Sequence, residues 1–153
     1  MVFFEWKDEY ELGLPDIDLQ HTMIVNMLNE LHVAIESGDP EGIVEKILAK
    51  MLLYVDEHFA TEETTMKGLG FSGYNAHVVE HEVFRGKVNA LNERHQLGQS
   101  VATDELIIIL INWLKIHIAE VDQEFGRFVH EQSEQSRKSY FSDSTAQTHG
   151  ERS

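Results

Sequence analysis

Five histidines and one glutamate stand at positions where this chain's helical periodicity calls for apolar side chains. Val44, Leu48, Met51, Val55, His58, Glu62 and Met66 follow one another at three-and-four spacing, so His58 and Glu62 belong to an inward face. His77 and His81 begin a second such face with Phe84, Val88 and Leu91, and His117 shares a third with Leu106, Leu110, Trp113, Val121 and Phe128. His21 precedes Ile24 and Leu28 on the inward side of a fourth. A lone inward histidine is usually a hydrogen-bonded core residue. Five of them with a carboxylate would leave buried polar groups that cost several kcal/mol each when unpaired, and a metal compensates them together.

Imidazole and carboxylate donors suit iron, manganese, zinc and copper, and seven donors exceed the needs of one ion, so two ions are indicated. If Glu62 and Asp122 each bridge the pair, five nitrogens and four oxygens make nine bonds. A single bridging oxygen adds two more, against the twelve of two octahedra, and one position stays open for a small diatomic ligand. Zinc prefers fewer ligands, so the set leans toward iron. Asp122 is the awkward donor, because five residues beyond His117 an ideal helix has turned roughly 140° past full circle. The sequence therefore predicts a π-bulge between His117 and Asp122.

These donors need four helices to carry them. The periodicity predicts helices over Leu19–Glu36, Pro40–Lys67, Tyr74–Gln96 and Asp104–Glu131, with Ile24, Met27, Leu28, Leu31 and Ile35 on the inner face of the first. Asp39 before Pro40 and Thr103 before Asp104 read as helix caps, and Gly68, Gly70 and Gly73 as a turn. Short connections make this an all-α, up-down-up-down four-helix bundle. His21, early in the first helix, then meets His58 and Glu62 late in the second, His77 and His81 early in the third, and His117 in the last. Residues 1–132 form this domain, its irregular lead-in packing Phe3, Phe4 and Trp6 on the bundle. Residues 133–153 are polar enough to expect a disordered tail.

Composition narrows the function. A net charge of -15 repels nucleic acid phosphates and anionic lipid, so neither is an expected partner. The absence of cysteine removes disulfides, thiolate metal sites and cysteine nucleophiles. With no secretory signal and no long apolar stretch, the expectation is a soluble cytoplasmic protein, monomeric because its outer faces show no extra apolar stripe. His32, His95, His130 and His149 stand apart from the seven donors as surface or helix-end residues, although His95 extends the third helix's inner stripe, and Met23, Met27, Met51 and Met66 fill the core.

His21 within Ile17-Asp18-Leu19-Gln20-His21, then His58-x-x-x-Glu62, His77-x-x-x-His81 and His117-x-x-x-x-Asp122, in this order over about Trp6 to Phe128, resemble the hemerythrin family and its single-domain bacterial members. The resemblance implies that His77, His81 and His117 bind one iron, His21 and His58 the other, and that Glu62 and Asp122 bridge, with an oxo or hydroxo bridge besides. It implies reversible binding of O2 at a non-haem di-iron centre, as in oxygen transport or storage, and not an enzyme. Leu114, Ile118, Ile24, Phe59 and Trp113 are the expected walls of a dry pocket. A ferritin-like oxidase reading fits less well, since no histidine has a glutamate three residues before it, whereas iron buffering would share the same site as oxygen delivery, storage or sensing. A module that senses O2 or redox state, docking a protein partner through its tail, would use the same site.

Overall fold

The computed structural model describes residues 4–38 and 40–149, with the backbone alone at 40–41 and 140–149. The caps and contacts proposed for Asp39 and Phe3, and the side chain of His149, lie outside these. Helix α1 spans Pro15–Ser37, α2 Pro40–Leu69 and α3 Tyr74–Gln96. The fourth rod is continuous but changes pitch: α4 covers Thr103–Asn112, a π-helical stretch Trp113–Val121, and α5 Asp122–His149. They form a four-helix bundle in which α1 packs against α2 and α4, and α2 against α3.

Helix α1 begins four residues before its apolar periodicity does. Pro15 takes the first helical position, where its missing N–H costs nothing. Asp18, in the first turn, accepts from the Leu12 and Gly13 amides at 2.7 and 3.2 Å and ties down the incoming chain. At the other end Gly38 takes φ 76°, a left-handed conformation that closes the helix by donating to Ala34 and Ile35 carbonyls. Ile35 is 42% exposed in that final turn, so the inner face of α1 ends at Leu31. Thr103 is the first residue of α4 and caps nothing. Glu105 instead reaches back to the Ala102 amide at 2.9 Å, and pairs with Arg94 at the end of α3 at 2.9 Å. The lead-in is irregular, with one 3-10 turn at Asp8–Tyr10; Phe4 and Trp6 pack on the core, and Asn29 holds both the amide and the carbonyl of Phe4.

Apolar side chains gather in two clusters. The larger runs through the bundle from Leu106 and Leu31 to Ile24, Phe59, Phe84 and Ile118; the smaller, at the far end, holds Leu12, Ile17, Met66 and Phe125. Along each rod the seven donors fall in the interval between these clusters or at its edge. Over the described part of the expected polar tail, α5 runs on to His149 with residues 131–139 exposed. Glu, Gln, Lys and Arg there carry good helix propensity, and neither proline nor glycine interrupts it before 150.

Candidate metal centre

All seven donors are buried: His21, His58, His81, Glu62 and Asp122 are 0% exposed, and His77 and His117 4%. Their placement follows from helix geometry. His58 and Glu62, like His77 and His81, sit four residues apart and so lie one above the other on one face. His117 and Asp122 need the π-helical stretch. There the Asp122 amide donates to the His117 carbonyl, an i→i+5 bond that widens the turn and brings the aspartate under the histidine. The local irregularity expected from the five-residue spacing is thus present, and it extends over nine residues.

Each carboxylate faces two ways. Glu62 Oε1 points at His77 and His81 Nε2, the latter at 3.3 Å, and its Oε2 at His21 and His58 Nε2, at 3.4 and 3.0 Å. Asp122 Oδ1 lies 2.9 Å from His77 Nε2 and 3.1 Å from His117 Nε2, while Oδ2 lies 3.1 Å from His21 Nε2. The donor atoms sort into two groups of metal-binding size, Glu62 with His77, His81 and His117, and His21, His58, Glu62 with Asp122, each within 4.8 Å.

Contact without hydrogen-bond satisfaction tests whether metal ions fit. Although close to nitrogen, Glu62 Oε2, both Asp122 oxygens, His117 Nε2 and His81 Nε2 lack any aligned hydrogen-bond partner. Donor atoms this near one another and unsatisfied are aimed at shared points. His21 and His58 bring their Nε2 atoms to 3.0 Å, the separation of adjacent ligands about 2.1 Å from a common ion. The set of imidazoles and carboxylates therefore fits a pair of nitrogen- and oxygen-ligated transition metals.

Electrostatics separates the imidazoles. Burial opposes charge on His21, but the negative charges of Asp122 and Glu62 close to its Nε2 outweigh it and push His21 up to about 9. The same balance takes His77 to about 10. Burial prevails at His81, which falls to about 4, and lowers His58 against the pull of Glu62. Burial would raise both carboxylates; the surrounding imidazoles hold Glu62 well below its usual range and lower Asp122 despite Glu62's charge.

Several neighbours hold the imidazoles in place. Aromatic rings lie flat on the imidazoles: Phe59 on His81 at 3.8 Å, Trp113 on His117 at 3.7 Å and Tyr54 on His58 at 4.8 Å. Trp113 donates to the Tyr54 hydroxyl at 3.0 Å, locking two of these plates together. Gln20 Oε1 accepts from His58 Nδ1 at 2.9 Å, and Glu80 Oε2 from His117 Nδ1 at 3.1 Å. Gln20 and Glu80 come from other helices than the histidines they meet, so spacing along one helix gives no sign of them, whereas Tyr54 and Trp113 sit four residues before the histidines they cover. Of the expected pocket walls, Phe59 and Trp113 touch donor rings, while Ile24, Leu114 and Ile118 are buried in the same apolar cluster. The outer surface is less polar than the sequence reading expects: Val79, Val83 and Ile116 are more than half exposed and line a groove of about 260 Å³ beside His117.

Comparison with known proteins agrees with this geometry. Residues 12–129 match the model of the hemerythrin HHE cation binding domain. A bacteriohemerythrin of Stenotrophomonas maltophilia (strain R551-3) is 36% identical over 126 residues, 82% of this chain and 81% of that one. One from Pseudomonas aeruginosa (strain LESB58) is 36% identical over 122 residues, 80% of this chain and 78% of its own. The fold is similar to the crystal structure of a leucine-to-alanine variant of hemerythrin, with a TM-score of 0.73 at 29% identity, covering 83% of this chain and 97% of the other.

Proposed function

Because this chain belongs to the hemerythrin family, we propose that it binds O2 reversibly at a non-haem di-iron centre held by His21, His58, Glu62, His77, His81, His117 and Asp122. One observation carries the reading: among the described residues, the buried polar and charged side chains are those seven and no others. A pair of iron ions there supplies two electrons that can be lent to O2 and recovered, with an oxo or hydroxo bridge completing the ligand set.

The chain's own residues supply the rest. His77, His81 and His117 would hold one ion and His21 and His58 the other, with Glu62 and Asp122, whose two oxygens face opposite ways, between the two sets. The side with two imidazoles would be the one with room for a ligand. Ile24, Phe59, Trp113, Leu114 and Ile118 keep water and stray acids away from the site. Outside the seven no buried carboxylate or imidazole stands ready as a general acid or base among the described residues, which favours a binding protein over an enzyme. Among those residues no helix is long and apolar enough to cross a membrane, and we place the protein in the cytoplasm as a monomer.

The test is gas stoichiometry. Protein loaded anaerobically with ferrous iron takes up one O2 per pair of irons and returns it under argon through repeated cycles. Iron that oxidises once and stays ferric would move the protein to the oxidase or redox-sensing reading.

A further inference from the structure

The hydrogen bonds behind the seven donors are not alike on the two sides. On the side of His77, His81 and His117, the His117 Nδ1 faces Glu80 Oε2 at 3.1 Å. Glu63 Oε2 stands 3.8 Å from His81 Nδ1, beyond a direct hydrogen bond but close enough for its charge to act. On the other side His58 Nδ1 faces a neutral amide, Gln20 Oε1, at 2.9 Å. Gln20 is held in turn by Thr61, whose hydroxyl accepts from Gln20 Nε2 at 3.2 Å and donates to the Glu57 carbonyl at 2.8 Å.

With Nε2, 3.1 Å from Asp122 on the inner side, given to a metal ion, Nδ1 would carry the proton and Glu80 would accept it. Glu80 thereby fixes the tautomer and the ring plane, which Trp113 already holds from its face at 3.7 Å and 9°. An anionic acceptor on the far nitrogen pushes electron density onto Nε2 and makes the imidazole a stronger donor. A neutral amide on His58 does this less.

We propose that Glu80 is a positioning residue for His117, and that Glu80 opposite Gln20 makes the centre electronically unequal, with extra positive charge settling on the three-imidazole side. The inference rests on the reading that the seven donors hold two irons, and not on reversible oxygen binding. When an electrode withdraws one electron from the fully ferrous pair, the ferric charge localises beside His77, His81 and His117, where Glu80 and Glu63 stabilise it.

The experiment uses the full chain loaded with ferrous iron, as wild type, Glu80→Gln, Glu80→Asp and Glu82→Gln. Glu82 is an exposed carboxylate on the same helix that pairs with Arg85, so its loss alters net charge equally without touching a donor. Iron is counted, the first reduction potential is measured, and the one-electron-oxidised form is examined by Mössbauer spectroscopy and electron paramagnetic resonance. Glu80→Gln is expected to keep two irons and lose about tenfold in ferric over ferrous preference, an upward shift of about 59 mV. Its ferric signal should change shape, Glu80→Asp should recover part of both, and Glu82→Gln should match wild type. Equal potentials and spectra in wild type and Glu80→Gln, both holding two irons, overturn this inference alone. Wild type holding fewer than two irons overturns the underlying metal reading and this inference with it.

Discussion

Asp122 touches both halves of the site, with Oδ1 toward His77 and His117 and Oδ2 toward His21. Replacing it by alanine removes a carboxylate that faces imidazoles of both groups and leaves them facing an apolar gap. We expect Asp122→Ala to fold but to bind one iron or none per chain, as checked by metal analysis after gel filtration; two tightly held irons would show that Asp122 is not a ligand. The aromatic plates act through stability. Tyr54 is 1% exposed, and its hydroxyl accepts from the Trp113 indole. Tyr54→Phe leaves that donor buried and unpaired, with an expected loss of about 1–3 kcal/mol in urea unfolding. Phe59, 0% exposed against His81, should cost about 3–5 kcal/mol when cut to alanine.

At the scale of elements, the π-helical stretch Trp113–Val121 exists because His117 and Asp122 must both face inward across five residues. We expect bound metal to hold this wide turn. Amides of this stretch should exchange faster in iron-free protein than in loaded protein, with α2 changing less, as read by hydrogen–deuterium exchange; equal protection with and without iron would mean that packing alone sets the pitch. The irregularity was legible in the sequence because one spacing, His117 to Asp122, conflicts with helical phase. The helix interiors and six of the inward donors were legible because polar residues interrupt apolar stripes, while Asp122, off the His117 face in an ideal helix, came from the family resemblance. Helix ends were less so: Pro15 starts α1 without an apolar stripe to announce it, and Glu105 does from inside α4 what Thr103 was expected to do. Gln20, Glu80 and Tyr54 could not be found this way, since each meets its partner across a helix–helix interface whose register only the fold defines.

For the whole molecule, the seven donors form a polar layer across a bundle that is otherwise apolar within, closed by one cluster around Phe59 and Phe84 and another around Phe125 and Met66. Metal bound in that layer ties all four rods together, because α1, α2, α3 and the π-helical stretch each contribute a histidine. Iron removal should therefore lower the unfolding temperature of the entire domain in one transition. At a free-metal concentration a hundred times Kd, loading contributes about 2.7 kcal/mol, and calorimetry with and without a chelator reads it. The account's central claim is tested most directly by diffraction from crystals loaded with ferrous iron, recorded above and below the iron absorption edge. It predicts two anomalous peaks, one enclosed by His77, His81 and His117, the other by His21 and His58, with Glu62 and Asp122 between them. A single peak, or peaks bonded to other residues, would contradict it.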